Sequence, residues 1–365
     1  MAWHLCLDFL VASHPALYNF PGMNRTIVGH LYPAIALFIL VFATPHAENY
    51  RDNERIQRVL QAEQLLFNDH FGAADSIYRD HIEHHPADPI GYLFRAGALF
   101  AEMSDREDNL HERVFKELLD SVEVLTTRML DTCDQSTAAW MYLWRGHARA
   151  YRSLYESKFG SFFSALRLGL STIDEYEAGL RADSTLYDLY TGIGSYHYWK
   201  SAKAGLLRWL RIFKDEKDNG IAELRMAADS SLMHRESARS ALIWIWLDRK
   251  EYDSAAALAD EFARRYPDGK TFLWPLAQSR FRQADYEQAA EAFLRIRARL
   301  EVSPGNYHNL IECDYHLAQC YSWLSDRDRL RTTAAHLAEY KDLIPTATRK
   351  RQQAKINYLM RIARR

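Results

Sequence analysis

Few residues of this chain have types and spacing that could do chemistry. In His81-Ile82-Glu83-His84-His85, the imidazoles of His81 and His85 stand one helical turn apart, a usable spacing for metal ligands. No cysteine or second carboxylate motif lies nearby in sequence. The cluster also falls where a helix is expected to end, and histidine is electrostatically favoured there. The helix-end role is the simpler reading, and no metal or other cofactor is expected. There is no glycine-rich phosphate loop, no G-x-S-x-G elbow, no H-E-x-x-H and no paired C-x-x-C. Gly192-Ile193-Gly194 sits inside a helical pattern and reads as helix packing rather than a nucleotide loop. The chain is therefore expected not to be an enzyme. A second reading stays open, in which the many Tyr and Trp residues of region 136–200 line a ligand-binding or enzymatic pocket.

Cysteine chemistry is also unpromising. Cys313 and Cys320 are seven residues apart on one expected helix. That is about 10 Å along its axis, too far for a disulfide. Together with Cys133 they read as small buried apolar residues. The net charge of −2 offers no bulk attraction to nucleic acid. Two stretches are locally basic and apolar at once. Lys200 to Lys214 carries Leu206, Leu207, Trp209, Leu210, Ile212 and Phe213, and reads either as a membrane or partner contact or as an elongated repeat that enlarges the core. The C-terminus carries Arg349, Lys350, Arg351, Lys355, Arg361, Arg364 and Arg365, with Ile356, Tyr358, Leu359 and Ile362 as an apolar stripe. Residues 344–365 are expected to form a basic capping helix over the last repeat.

The elements that must position these residues are helices. No stretch beyond residue 50 alternates polar and apolar residues long enough to argue for a strand. A phrase recurs instead. Glu251-Tyr252-Asp253-Ser254-Ala255 is echoed 34 residues later by Asp285-Tyr286-Glu287-Gln288-Ala289, and an earlier copy reads His70-Phe71-Gly72-Ala73-Ala74. A proline follows the alanine by twelve residues in two copies, Ala74 to Pro86 and Ala255 to Pro267. Small residues let two helix backbones approach, large aromatics fill the flanking gap, and proline ends the second helix. A 34-residue period in a helix-rich chain means stacked helical hairpins.

The N-terminus reads as a separate element. Met23-Asn24-Arg25 precedes an apolar run from Ile27 to Ala43 and then Thr44-Pro45-His46-Ala47. The span 23–47 has the layout of a secretory signal peptide, or of an N-terminal membrane anchor if it is not cleaved. Met23 then reads as the start, with 1–22 lying upstream of it. Periplasmic or secreted placement follows, with inner-membrane anchoring as the alternative.

The copies at 236–267 and 270–301 resemble tetratricopeptide repeats, with Ala255, Pro267, Ala289 and Phe293 at signature positions. The pairs 54–86 and 308–342 match more loosely, and 160–232 matches with an insertion over 199–219. The resemblance implies an all-α fold: a right-handed α-solenoid of helix-turn-helix hairpins over 50–343. It further implies a non-catalytic scaffold that binds a protein or peptide segment in a concave groove lined by the first helix of each pair; the export signal without a disulfide framework points to the bacterial envelope. Mapped onto this chain, the groove would carry Asp188, Thr191, Ser195, Glu236, Arg239, Ile243, Trp246, Trp274, Gln278, Phe281, Tyr315 and Gln319, about half of them facing solvent. The alternative is an adaptor held at the membrane.

Overall fold

The computed structural model describes residues 54–203 and 214–364. The 23–47 segment and the apolar stretch 206–213 lie outside the described residues. Sixteen α-helices, and no strand, occur among the described residues. They are α1 (Glu54–Phe67), α2 (Phe71–His84), α3 (Pro89–Arg106), α4 (Glu112–Leu130), α5 (Gln135–Phe159), α6 (Phe162–Ala182), α7 (Leu189–Lys203) and α8 (Lys217–Ser230). Then follow α9 (Arg235–Asp248), α10 (Tyr252–Arg265), α11 (Leu273–Arg282), α12 (Tyr286–Glu301), α13 (Tyr307–Trp323), α14 (Arg327–Tyr340), α15 (Thr346–Arg351) and α16 (Gln353–Ala363). Each helix packs on its neighbours in sequence, so α1 to α14 form seven stacked hairpins, an all-α solenoid. Helix α16 packs on α13 and α14, burying Ile356 and Leu359. Helix α7 runs to Lys203, so Trp199 and Ser201, within the expected insertion, continue the helix and are buried.

One turn chemistry recurs. Asp69, Glu107, Lys250, Ala284 and Ser325 all have φ near +60°. In each case the next amide reaches back over the turn: His70 N–H to Leu65 O, Asp108 to Met103, Glu251 to Trp246, Asp285 to Arg280 and Asp326 to Tyr321. This is the Schellman arrangement, which satisfies the orphan carbonyls at a helix end. The aromatic that follows in three copies, Phe71, Tyr252 or Tyr286, opens the second helix. The alanine three residues on is fully buried in each, at Ala74, Ala255 and Ala289. The glycine pair also packs helices. A Cβ on Gly194 would lie 2.7 Å from Gly220 O, so α7 and α8 touch backbone to backbone. Tyr176 of α6 is held between Gly146 of α5 and Gly192 of α7, with ring atoms 2.4 and 2.2 Å from where their Cβ atoms would stand.

The stack curls far enough for the first hairpin to meet the loop before the sixth. Phe67 lies against Tyr266 and Phe272, with ring centroids 5.0 and 5.4 Å away. The Lys270 amide and its ammonium both donate to Asp69 Oδ2, each at 2.7 Å, and the ammonium is 3.5 Å from Asp105. One hairpin further along, Asn306 and Asn309 donate to Asp105 O at 2.7 and 2.6 Å. Gly269 is required by this approach, because a Cβ there would stand 2.0 Å from Phe67 O. The obstructing atom is backbone and cannot swing aside. Gly269→Ala is therefore expected to lose about 1–3 kcal/mol, the usual cost of overpacking. Urea denaturation checks this, and an unchanged midpoint would mean the loop is not held against α1.

Candidate functional site

The curl forms a partly open chamber of about 200 Å³ between the first helices of the first five hairpins. Helices α1, α3, α5, α7 and α9 each present one stripe to it, because residues three or four apart share a face. Glu63 and Phe67 come from α1, Phe94, Gly97 and Ser104 from α3, His147 and Tyr151 from α5, Thr191 and Ser195 from α7, and Ser237 and Trp244 from α9. Tyr176 of α6 reaches in between its two glycines. The walls are mostly apolar and aromatic. No lysine or arginine lines the chamber among the described residues.

Glu63, His147 and His234 meet there, and Asp69 and Asp105 also border the space. Glu63 accepts the Ser237 hydroxyl at 2.8 Å. Burial pushes its carboxyl above the usual range, against the opposing pull of His234 and Ser237. His147 Nδ1 lies 3.0 Å from Leu143 O and 3.2 Å from the Tyr176 hydroxyl. A carbonyl can only accept, so Nδ1 carries the proton and Nε2 keeps a lone pair. Burial, then repulsion from His234, lowers the His147 pKa to about 3. His234 is clamped from behind: its Nδ1 lies 3.0 Å from Asp188 Oδ1. The Leu232, Met233 and His234 amides donate to the same carboxylate at 2.9, 2.7 and 3.0 Å. Burial raises the Asp188 pKa, but His234 and these amides outweigh it and hold the carboxyl below its ordinary range. The His147 and His234 rings are 4.6 Å apart, centroid to centroid. Glu63 and His147 keep some accessible surface although bulk water is distant, because that surface is chamber wall.

The expected groove residues scatter. Thr191 and Ser195 line the chamber, and Asp188 sits behind it as the anchor of His234. On α9 the expectation is displaced by one residue. Ser237, Ala241 and Trp244 face the chamber, while Glu236, Arg239, Ile243 and Trp246 turn to neighbouring helices. Arg239 pairs with Glu261 and lies over the Phe262 ring, both on α10. Glu236 accepts from Arg265 at 2.7 Å, and Arg225 of α8 covers Trp246. Ile243 is wholly inside the core. Further along, Trp274 packs on Phe293, and Phe281 meets Tyr286 and His316. Tyr315 accepts from Gln319 and abuts Tyr358 of the C-terminal helix. Gln278 is half-buried on α11. Five of the twelve are buried, seven are half-buried and none is fully exposed. Glu63, Ser104, His147, Tyr151 and His234 were missed. Extending the first-helix stripe back from α7 to α5 and α3 would have found most of them.

The histidine cluster is absorbed by structure. His81 is buried with Nε2 3.1 Å from Asp88, whose other oxygen accepts the Ile90 amide at the start of α3. It joins the end of α2 to the next helix. No group of three metal-ligating side chains occurs among the described residues. Cys133, Cys313 and Cys320 are free thiols, and Cys313 donates to Phe293 O. No described helix is long and apolar enough to cross a membrane.

These features define an all-α fold of stacked helical hairpins. No family model matches the chain, and no curated protein matches it in sequence. Among solved structures, it is similar to the crystal structure of the P58(IPK) TPR domain, at 11% identity over 85% of this chain and 89% of that chain, with a TM-score of 0.18.

Proposed function

We propose that the chain is a non-catalytic scaffold that docks a protein partner on the outer face of α6. The observation that carries this is the stripe of Phe163, Leu166 and Leu170, which are 75%, 44% and 52% exposed at helical spacing. Soluble surfaces seldom align exposed large apolar residues in this way, and such a ridge suits the apolar face of a partner helix. A groove along the first helices is a weaker host. Over the first five hairpins it narrows to a chamber of about 200 Å³, too small for a peptide segment. Only the last hairpins, with Gln278, Phe281, Tyr315 and Gln319 half-buried, could still receive one. We place the protein in the bacterial envelope on the strength of the apolar run Ile27–Ala43, a reading that cell fractionation would test.

The discriminating experiment is cross-linked capture from envelope extracts with two double variants. Phe163→Ser/Leu170→Ser is expected to lose the partner, at unchanged thermal stability, because both side chains are solvent-facing. Phe281→Ala/Tyr315→Ala is expected to retain it. The opposite pattern would move the contact to the concave face.

A further inference from the structure

We infer that the chamber is a binding site for a small, neutral aromatic compound carrying a ring N–H or a hydroxyl. The argument begins with size. An apolar cavity of about 150 Å³ accepts benzene. The roughly 200 Å³ here admits a ring system with a few further atoms.

Shape and polarity narrow the class. Eight aromatic side chains border the space, among them Phe67, Phe94, Tyr151, Tyr176 and Trp244. Such walls favour a planar ring, by offset stacking or edge contact. Negative charge is unwelcome, since Glu63, Asp69 and Asp105 already border the space. An anion would find no lysine or arginine on the walls, and the environment already keeps the His147 imidazole neutral.

Two orphaned hydroxyls point to a ligand directly. Thr191 Oγ1 and Ser104 Oγ are buried, border the chamber and have no hydrogen-bond partner among the described residues. A hydroxyl left unpaired in a dry site is costly and is seldom retained without a use. Both can accept from a ligand N–H or O–H, as can the free lone pair of His147 Nε2. The neighbouring hydroxyls are already committed, Ser195 to Thr191 O at 2.7 Å and Ser237 to Glu63. The chamber thus combines a stacking wall with unfilled acceptors, the usual make-up of a small-molecule site.

Calorimetric titration of the full chain with three probes tests this. Indole has the ring and the donor, 1-methylindole the ring alone, and benzoate a ring with a negative charge. Indole is expected to bind saturably with one site per chain. 1-Methylindole should bind about ten-fold more weakly, the loss of one hydrogen bond, and benzoate should not bind. Ala150→Phe fills the space and should abolish indole binding. Thr191→Val keeps the shape and removes one acceptor. It should weaken indole several-fold and leave 1-methylindole unchanged, while the urea midpoint of the free protein holds or rises. No saturable indole binding to the wild type, or equal indole affinity in wild type and both variants, would overturn the assignment.

Discussion

Replacing Lys270 by methionine is expected to cost about 3–5 kcal/mol, the range for removing one partner of a buried ion pair. Lys270 and Asp69 are only 7% and 11% exposed at the side chain, so water cannot take over the lost contact. Burial opposes the charge on the Lys270 ammonium, but Asp69 and Asp105 outweigh it and hold its pKa above the ordinary lysine value. Methionine matches the length and leaves two buried carboxylates facing each other. Burial already lifts the Asp105 pKa to about 6 with the lysine in place. A second change, Asp105→Asn, removes one stranded charge and should restore part of the loss at pH 7. Urea unfolding of the single and double variants measures both effects. A loss below about 1 kcal/mol would class the pair with solvated surface bridges.

The second large effect concerns acid. His147→Gln should become progressively more favourable, relative to wild type, as pH falls below 6.5. In the folded protein His147 takes up a proton only near pH 3, against 6.5 ordinarily. Between those limits the unfolded chain binds the proton and the folded chain does not, so stability present above pH 6.5 is lost as pH falls toward 3. At 1.36 kcal/mol per pH unit, the variant gains about 2 kcal/mol on wild type at pH 5 compared with pH 7. Asp105 works the other way. Its raised pKa gives stability that is complete below pH 3.8 and lost as pH rises through about 6. His308 and His316, lowered by burial, and His336, raised by its hydrogen bond to Asp314, also titrate in this range and are common to both proteins, so the difference between variant and wild type isolates His147. Paired urea midpoints at the two pH values decide, and parallel curves would show that His147 is not shielded from water.

The hairpins were legible because their grammar is local. An aromatic, then an alanine three residues on, then a proline ends a helix that packs on the one before, and Ala74, Ala255 and Ala289 are all buried as that grammar requires. The turns were less legible. Left-handed residues usually announce themselves as glycine, yet here they are Asp69, Glu107, Lys250, Ala284 and Ser325. Their conformation is imposed by backbone hydrogen bonds rather than chosen by side chain. Part of the chamber wall falls in region 136–200, where a pocket was one reading, but its full extent was hidden for a different reason. Each hairpin adds a small rotation, and whether the first meets the loop before the sixth depends on the sum, which no short window of sequence contains. On α7, Thr191 and Ser195, expected in a partner groove, instead border the chamber and are buried. On α9 the chamber-facing residues lie one position, about 100° around the helix, from the expected Glu236, Arg239 and Trp246.

The contact between Asp69 and Lys270 joins residues 201 apart in sequence. An ordinary repeat array contains no such pair. Its stability is a sum of nearest-neighbour terms, so it can fray from either end one unit at a time. A tie across five units makes the array fail as a block, since fraying the first hairpin also forfeits its contacts with the sixth. It also raises the contact order of a fold that would otherwise assemble quickly from local contacts, and that bond must wait until the intervening hairpins have stacked. The protein should therefore form its helices early and acquire its final resistance to denaturant in a later, slower phase, one that the Lys270→Met variant lacks.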